Sequence, residues 1–511
     1  MLAGRSRFSY RRIEMDRTVA IIGSGPGGLE CGCILARRGF RVIVLEKAKV
    51  PGGALQTFTR KDSRGMTHTF DTGFHYVGSL GEGEPLGRLF SYFGLMNLPW
   101  RPLDGDFAAE VLIGNEKYAL PTGYGAYEDS LCRAFPHCRE GIRKYVRLLK
   151  DVRDNIFNAF RPETGMNPLF GVSAAEYLQE TLAEPELVRL VSCASAFNMD
   201  LRPESLPLYV FAQINSSFIS SSWRLGRTGG KTEGGAAVAA DLIKTLEGDG
   251  GELMTGAEVT AIRTDGIGRA VSLDVRKDGH MMEMPVDYVI SDVHPSLSIG
   301  MVDECRALRK IYRSRMTGLG NTRGMFTVNV ALKPGAMPYL NRNVIVTGQN
   351  CDPWHISGRG GDEVMVHFNA ADVSDGFAGS LDILTPMEGM ALGGRDEAYG
   401  EMKRQCAERC IGLASKALPG LDNAVDRYWT SSPLTWKDFT GTAGGSAFGA
   451  FRDCRNPLAT VLSPRTPLEN LFLTGQSLNL HGILGVSMTS VLTCSAMPGL
   501  ENLSSEILAN D

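Results

Sequence analysis

The fold of this chain is decided by the stretch from Val19 to Gly53, VAIIGSGPGGLECGCILARRGFRVIVLEKAKVPGG. Its first four residues are apolar and mostly β-branched, as expected of a buried parallel strand. They lead directly into Gly23-Ser24-Gly25-Pro26-Gly27-Gly28, a GxGxxG pattern. In this pattern Gly23 permits the tight turn, Gly25 lets the backbone approach a pyrophosphate, and Gly28 lets the next helix pack against the strand. The free N–H groups and the dipole of that helix face the phosphates.

The residues after the loop complete a dinucleotide-binding fingerprint. We predict a helix over 28–38 that stops at Gly39, followed by a second strand, Arg41 to Leu45, that ends at Glu46. A carboxylate at this position accepts hydrogen bonds from a ribose hydroxyl. Strand, glycine loop, helix, strand and acid occur in the required order, which disfavours the alternative of an ordinary glycine-rich turn.

Two further glycines indicate which dinucleotide is bound. Gly52 and Gly53 follow Glu46 in an E-x5-GG arrangement, which resembles the FAD-binding fingerprint of large flavoprotein oxidoreductases rather than that of nicotinamide dehydrogenases. We therefore predict FAD as the cofactor. The predicted contacts in this part of the chain are Gly23, Ser24, Gly25, Pro26, Gly27, Gly28, Glu46, Lys47, Gly52, Gly53, Ala54 and Leu55.

Length and composition are those of an ordinary globular protein with more than one domain. The chain has 511 residues, 43% hydrophobic and 22% charged, with a formal net charge of −4. A length above about 250–300 residues predicts two or three domains. The negative charge and the lack of a basic stripe with interleaved aromatics exclude a nucleic-acid-binding role.

Cysteine and histidine usage argues against disulfide and metal chemistry. The 11 cysteines form no C-x-x-C pair, so we predict reduced thiols and no dithiol shuttle. The eight histidines are dispersed, without an H-x-x-H or E-x-x-H cluster, so we predict no catalytic metal.

The amino-terminal residues are informative about where in the cell the protein is located. They include Arg5, Arg7, Arg11 and Arg12 but no apolar region of the kind found in signal peptides. No run approaches 18 apolar residues, which predicts no transmembrane helix. We expect a cytoplasmic protein, with a peripheral membrane contact through the arginine-rich tail as the alternative.

The string FDTGFHYVG, Phe70 to Gly78, adds a more specific signal. Together with the FAD fingerprint it resembles the retinol saturase branch of the phytoene desaturase and carotenoid isomerase flavoproteins. This resemblance implies an α/β fold in which a Rossmann-like FAD-binding domain of the amine-oxidase type is interleaved with an α+β substrate domain. The implied FAD-binding segments are 16–84, 228–293 and 461–511, and the implied substrate segments are 85–227, mostly helical, and 294–460, a sheet plus helices.

The same resemblance assigns cofactor contacts in the later segments. It places the backbone of Val259 beside the adenosine, and Gly475 and Gln476 near the ribityl chain. It also implies that the helix that starts near Gly482 and includes Val486 points its N-terminus at the pyrimidine edge of the isoalloxazine. A helix N-terminus there would favour the negative charge of the reduced flavin.

An apolar stripe after Pro207 has two interpretations. Its members are Leu208, Phe211, Ile214, Phe218, Ile219 and Trp223, interrupted by Gln213, Asn215 and a serine run. Such a stripe at helical spacing usually belongs to the core. The alternative is a lipid-facing or tunnel-lining helix for a hydrophobic substrate.

His481 and His75 are the candidate catalytic residues, with Tyr76 as a further candidate acid. Adding H2 across a carbon–carbon double bond needs a proton as well as a hydride, and an imidazole beside the flavin could deliver it. The alternatives are histidines that only hydrogen-bond a turn, and a site that acts by alignment in a dry pocket without an essential acid.

The leading functional hypothesis follows from the resemblance. It is an FAD-dependent oxidoreductase that saturates a double bond of a hydrophobic conjugated isoprenoid lipid. Without a second dinucleotide fingerprint, NAD(P)H is expected only as a transient external donor. The alternatives are a cis–trans isomerase, a desaturase, or a non-enzymatic FAD-containing binding protein. The lipid and the oligomeric state are left open.

Overall fold

The computed structural model describes residues 17–160, 165–229, 232–389 and 395–508. In chain order, the strands are β1 Thr18–Ile22, β2 Arg41–Glu46, β3 Thr57–Lys61, β4 Thr67–Asp71, β5 Val77–Gly78, β6 Trp100–Pro102, β7 Ala109–Ile113, β8 Glu116–Leu120, β9 Ser222–Leu225, β10 Glu252–Thr255, β11 Ala257–Thr264, β12 Ala270–Lys277, β13 His280–Pro285, β14 Tyr288–Ser291, β15 Gly324–Leu332, β16 Asn343–Thr347, β17 Glu363–Phe368, β18 Val373–Ser374, β19 Phe377–Ala378, β20 Ser380–Met387, β21 Val425–Ser431 and β22 Leu471–Leu473.

The helices, again in chain order, are α1 Pro26–Arg37, α2 Pro85–Phe93, α3 Tyr124–Ala134, α4 Arg139–Asp154, α5 Ala174–Leu182, α6 Pro185–Ser195, α7 Leu208–Ser220, α8 Gly235–Gly248, α9 Pro295–Gly300, α10 Lys310–Thr317, α11 Glu397–Ala414, α12 Leu421–Ala424, α13 Pro433–Thr440, α14 Pro457–Thr460, α15 Gly482–Ser495 and α16 Leu503–Leu508. The arginine-rich residues 5–12 lie outside the described part of the chain. Among the described residues, no helix has the length and apolar character needed to cross a membrane.

A parallel sheet of order β10-β2-β1-β14-β22 forms the first layer of the fold. Its centre is β1, where Ile22 lies opposite Leu45 of β2 and Ser291 of β14, and Ser291 in turn lies opposite Leu473 of β22. These strands come from the beginning, the middle and the end of the sequence. The Rossmann-like fold with an interleaved chain is therefore confirmed.

Helix α1 joins the amino-terminal and carboxy-terminal parts of this layer. Its fully buried Glu30 accepts hydrogen bonds from the hydroxyls of Ser487, at 2.6 Å, and Ser490, at 3.0 Å, both on α15. Burial raises the pKa of Glu30 to about 8, so the carboxyl is mostly protonated at neutral pH. A neutral, hydrogen-bonded carboxyl avoids the cost of an unpaired buried charge.

A second sheet, of order β21-β15-β20-β17-β16-β7-β8, is built mostly from the segment 294–460. The strands predicted within 294–460 are present. However, β7 and β8 come from the segment that was predicted to be mostly helical, and β7 pairs in parallel with β16. Val111, Leu112 and Ile113 are buried, so this short apolar run gains its burial in the sheet core.

The turn residues Gly266 to Arg269, followed by the strand-like run Ala270 to Val275 and no helix, predict a hairpin, and the smaller sheet β11-β12-β13 confirms it. Asp265 Oδ1 accepts hydrogen bonds from the backbone N–H groups of Ile267, Gly268 and Arg269, which closes the turn. The glycines here serve a hairpin, as predicted, and not a second nucleotide loop.

Helix α7 carries the apolar stripe and is buried along nearly its whole length. Its end packs against β5, since a Cβ on Gly78 would lie 2.5 Å from the backbone of Ser217. The helix is therefore mainly a core element, as the first interpretation held, while Ile214 and Phe218 of the stripe also line a cavity, as the second interpretation allowed.

A buried asparagine just before β22 ties the sheets together and predicts a stability effect. The Asn470 side chain accepts a hydrogen bond from the Ala270 N–H and donates one to the Ala270 carbonyl oxygen, both at 2.8 Å. It donates another to the Asp287 carbonyl oxygen at 2.7 Å. We expect Asn470→Ala to lower the free energy of unfolding by about 2–4 kcal/mol, because three buried backbone groups lose their partners. Urea denaturation measures this change. The exposed Asn97→Ala should change it by less than about 0.5 kcal/mol; equal effects would contradict the assignment.

Candidate cofactor and active site

The glycine loop has the geometry that the fingerprint requires. Gly23 adopts a left-handed φ of +98°, and its N–H donates to the Leu45 carbonyl oxygen at 2.8 Å. A Cβ on Gly28 would overlap the Gly23 carbonyl oxygen. The first and last glycines of the motif are therefore needed for the turn and for the packing of α1 against it.

Glu46 lies at the end of β2, as predicted, and is held by its neighbours. Its Oε2 accepts from the backbone N–H of Ser24 at 3.0 Å and from the Ser24 hydroxyl at 2.7 Å. Its Oε1 accepts from the Ala48 N–H at 2.8 Å. A carboxylate has about four acceptor positions, so Glu46 retains acceptor capacity for a ribose hydroxyl.

The second glycine pair packs directly on the first loop. Gly52 donates to the carbonyl oxygen of Ser24 at 3.1 Å, and a Cβ on Gly53 would lie 3.1 Å from the Gly25 Cα. Both glycines have positive φ, +112° and +54°. Ala54 and Leu55 continue in a short 3-10 turn, whereas the side chain of Lys47 is exposed.

The carboxy-terminal contacts converge on the same loop. Gly475 follows β22 with φ +89°, and a Cβ on Gly27 would lie 3.2 Å from its Cα. The carbonyl oxygen of Gln476 accepts from Nη2 of the buried Arg452 at 2.7 Å. Gly482 begins α15 and Val486 is buried in that helix.

Val259 lies farther along the same side of the sheet. The turn before its strand is fixed to the end of β2, because the Gly256 N–H donates to the Ala48 carbonyl oxygen at 3.0 Å. Val259 itself is buried and packs in a cluster with Ile43 and Leu45. The glycine-rich segments from the two ends of the chain form one notch, and this cradle fits the backbone-close binding of a pyrophosphate.

Asp292 is a residue of this notch that the sequence analysis did not identify. It follows β14 directly, and its N–H donates to the Ile22 carbonyl oxygen at 2.8 Å. Cβ atoms on Gly25 and Gly475 would each lie 2.5 Å from a carboxylate oxygen of Asp292. The available signal was an acid at the carboxyl end of a strand parallel to β1.

Electrostatics make Asp292 important for an anionic ligand. Its carboxylate accepts from the Gly28 N–H, at the helix end where the fingerprint places the pyrophosphate. Burial, and to a smaller extent the charge of Glu46, raise the pKa of Asp292 to about 7. Protonation of this carboxyl removes a negative charge from the notch.

A cavity of about 150 Å³ lies beside the carboxy-terminal segment and brings the three catalytic candidates together. His75, Tyr76 and His481 all line it, next to Gly482. The rest of its lining is mostly apolar, from β5, α7, α15 and the second sheet. Its other lining residues are Gly73, Phe74, Val77, Gly78, Phe197, Asn198, Gln213, Ile214, Ser217, Phe218, Met365, Leu384, Phe448, Leu480, Ile483, Leu484 and Gly485.

His481 is held as a neutral imidazole. Its Nε2 lies 2.9 Å from the Asn198 carbonyl oxygen, which can only accept, so this nitrogen carries the hydrogen. Burial and the charge of Arg452 lower the pKa of His481 to about 3. Its buried Nδ1 has no hydrogen-bond partner among the described residues. His481 is therefore suited to accept a hydrogen bond in the cavity rather than to donate a proton.

The Tyr76 side chain is hydrogen-bonded to Asn198, the residue that also binds His481. Its hydroxyl donates to Asn198 Oδ1 at 2.8 Å, and its ring lies 4.6 Å, between centroids, from that of Phe218. Burial raises the pKa of Tyr76 well above its ordinary value. Asn198 thus fixes both Tyr76 and His481, a role for which its position after α6 gave no signal in the sequence.

His75 differs from both because its ring nitrogens have no hydrogen-bond partner among the described residues. Its side chain is 8% exposed, and Nδ1 lies 3.6 Å from Oδ2 of Asp382 on β20. The other oxygen of Asp382 accepts from Asn329 Nδ2 at 2.6 Å. The carboxylate therefore lies beside the ring at the cavity wall without a hydrogen bond to it.

One possible metal-binding group lies elsewhere in the described chain. His137, Cys138 and Glu184 bring ligand atoms within 4.8 Å of one another. None of the three lines the cavity, and His137 is exposed. This group therefore gives no reason to place a metal in the candidate active site.

Several known proteins are similar to this chain in sequence. The family described as an NAD(P)-binding Rossmann-like domain matches residues 21–93. The all-trans-retinol 13,14-reductase of Macaca fascicularis is 26% identical over 566 aligned positions, which cover 98% of this chain and 89% of the relative. A prolycopene isomerase of an Oncidium hybrid cultivar is 24% identical over 262 positions, which cover 47% of this chain and 43% of the relative. The chain is thus similar to retinol 13,14-reductases along almost its whole length and to prolycopene isomerases along about half of it, which is consistent with the resemblance found in the sequence.

Solved structures are similar to this protein at the level of the fold. The cyclohexylamine oxidase of Brevibacterium oxydans superimposes with a TM-score of 0.59 at 13% identity, covering 97% of this chain and 99% of that chain. This likeness confirms the predicted amine-oxidase-like fold. The reductases, isomerases and amine oxidases to which the chain is similar support an oxidoreductase activity, and the fold and relatives support a flavin or nucleotide cofactor.

The position of Asp292 predicts how cofactor affinity depends on pH. We expect Asp292→Asn to tighten FAD binding about tenfold, or about 1.4 kcal/mol, because a negative charge leaves the notch. Wild-type affinity should fall as the pH rises through about 7, where the carboxyl loses its proton, and the variant should change less. Fluorescence titration of the apoprotein with FAD measures both affinities.

Controls separate the effect of Asp292 on FAD affinity from the effects of other carboxyl groups. Glu30 and Glu46 are unchanged in Asp292→Asn, so the difference between the two pH profiles isolates the one carboxyl. The exposed Asp278→Asn, at the hairpin turn between β12 and β13, should leave both affinity and profile as in wild type. Identical profiles for wild type and Asp292→Asn would show that Asp292 does not affect the cofactor.

Proposed function

We propose that this protein is an FAD-dependent oxidoreductase that saturates a carbon–carbon double bond of a hydrophobic, conjugated isoprenoid lipid. The observation that carries the proposal is the mostly apolar cavity that brings His75, Tyr76 and His481 beside the first turn of α15. The match to all-trans-retinol 13,14-reductases along almost the whole chain supports the reductive direction.

The described residues could hold FAD at both ends. Gly23, Gly25, Gly28 and Glu46 would bind the ADP half, and Gly475, Gln476 and the start of α15 would bind the flavin half. Bound FAD would supply the hydride, with NAD(P)H as the external donor. Each saturated double bond then consumes one NAD(P)H and one proton.

The cavity walls would align the polyene and keep water out. Phe218, Met365, Leu384 and Ile483 offer apolar surface from different elements of the fold. Apolar surface binds a hydrocarbon chain through burial, at about 25 cal/mol per Å². Alignment in a dry site is itself a large part of catalysis.

His75 is the side chain best placed to supply the proton. Its ring lines the cavity and is backed by the Asp382 carboxylate. In contrast, His481 is neutral with its hydrogen bonded to a backbone oxygen, and the Tyr76 hydroxyl is bonded to Asn198. We assign His75 as the proton donor and Asp382 as its positioning residue.

Isomerisation is the second candidate, because prolycopene isomerases match about half of the chain. The two reactions differ in electron stoichiometry. Anaerobic incubation of dithionite-reduced enzyme with a conjugated polyene should oxidise one flavin per saturated product, followed by absorbance and chromatography. Product formed without loss of reduced flavin would instead identify an isomerase, and no product would leave the proposal without support.

The assignment of His75 predicts a specific loss of rate. We expect His75→Gln to slow single-turnover saturation by about 10²–10⁴, the usual contribution of general acid catalysis, without changing FAD content. Stopped-flow oxidation of the reduced flavin by the polyene measures the rate. The exposed His137→Gln should react as wild type, and a His75→Gln enzyme of normal rate would favour alignment without an essential acid.

A further inference from the structure

Gln213 on α7 has an unusual environment. Its side chain lines the cavity and the residue is 1% exposed. Neither Nε2 nor Oε1 has a hydrogen-bond partner among the described residues. Buried amides are nearly always hydrogen-bonded, since an unmet donor and acceptor both cost free energy.

Neighbouring polar side chains of the same helix do not share this feature. The amide of Asn215 donates to the Phe211 carbonyl oxygen at 2.9 Å and accepts from the Ser195 hydroxyl at 2.8 Å. The Ser216 hydroxyl lies 2.6 Å from that of Tyr124. The helix therefore satisfies the polar groups that face protein, and the amide that faces the cavity is the one left open.

The position of Gln213 relates it to the catalytic candidates. Ser217, one turn later on α7, also lines the cavity and packs against β5, which directly follows His75 and Tyr76. Residues four apart lie on the same face of a helix. Gln213 therefore lies on the cavity wall formed by α7. The neighbouring strand β5, Val77–Gly78, has no charged side chain that could pair with it.

The chemistry of the amide selects the group that it can bind. A carboxamide offers one donor side and one acceptor side, and a hydroxyl group both accepts and donates. A carboxylate only accepts, and no Lys or Arg occurs among the residues that line the cavity. A neutral alcohol is therefore matched better than an acid, and a pure hydrocarbon leaves the amide unpaired.

We propose that Gln213 binds the hydroxyl group of a conjugated polyene alcohol and so selects it over hydrocarbon polyenes. This inference rests on the proposed function, because it specifies the lipid that the same cavity accepts. It makes Gln213 a specificity-determining residue, while His75 keeps its role in proton transfer.

The test compares ligands that differ in one oxygen atom. The FAD-loaded protein is titrated with all-trans-retinol, with the same polyene carrying a methyl group in place of the hydroxymethyl group, and with the corresponding acid. Quenching of tryptophan fluorescence gives each Kd. We expect wild type to bind the alcohol about 10- to 100-fold more tightly than the hydrocarbon, or about 1.4–2.7 kcal/mol, and also more tightly than the acid.

Variants then assign the preference to one side chain. Gln213→Leu, of similar size, should bind the hydrocarbon at least as well as wild type and should lose the preference for the alcohol. Ile214→Val, at the neighbouring cavity residue, should weaken both ligands about equally. Bound FAD, measured by absorbance, should be unchanged in both variants.

Four outcomes would overturn the inference. Equal affinity of wild type for alcohol and hydrocarbon would show that no side chain binds the hydroxyl group of the ligand. Loss of FAD from Gln213→Leu would show that the amide serves the cofactor. Tighter binding of the acid than of the alcohol would replace the proposed ligand. Failure of wild type to bind either uncharged polyene would, in addition, contradict the proposed function itself.

Discussion

The close approach of three distant chain segments at one edge of the parallel sheet is the constraint on which the rest of the structure depends. A Cβ on Gly27 would lie 3.2 Å from Gly475 Cα and would overlap the carboxylate of Asp292. Residues 27, 292 and 475 follow or adjoin β1, β14 and β22, which are neighbours in the sheet. Parallel strands bring their carboxyl ends to the same edge, so the pairing order itself forms the notch. Glycine is required there because the segments leave no room for side chains.

The same pairing fixes where the cavity can be. Once β22 lies beside β14, the chain turns through His481 and begins α15, whose Ser487 and Ser490 bond Glu30 of α1. This anchors the start of α15 at a set distance from the glycine loop. The second sheet and α7 then close the cavity from the other side. A nucleotide in the notch and a lipid in the cavity would therefore be held by one connected framework, in which a shift of α15 changes both.

The sequence predicted the features that depend on neighbours along the chain. The glycine loop, the end of β2 at Glu46, the hairpin after β11 and the helix after Gly482 each follow from a local pattern of turn residues and periodicity. Features that depend on residues far apart were missed. Asn198 holds His481 across 283 positions, and Asp382 reaches His75 from a strand interior where an acid gives no motif. Likewise β7 and β8 were missed, because their partner β16 lies more than 200 residues later, and only tertiary pairing makes them strands.

Several buried polar groups of the framework differ from the polar groups at the cavity in their hydrogen bonding. Glu30, Asn215 and Asn470 are buried and have their hydrogen bonds supplied by the protein. At the cavity, by contrast, both nitrogens of His75, both amide atoms of Gln213 and Nδ1 of His481 lack partners among the described residues. A stable protein can leave buried polar atoms without partners where a bound ligand supplies the missing hydrogen bonds or where the atoms take part in catalysis. Five polar atoms without a partner in the described part of the chain thus surround one mostly apolar space, which argues that the space is a binding site, since an empty packing defect would be lined by apolar groups alone.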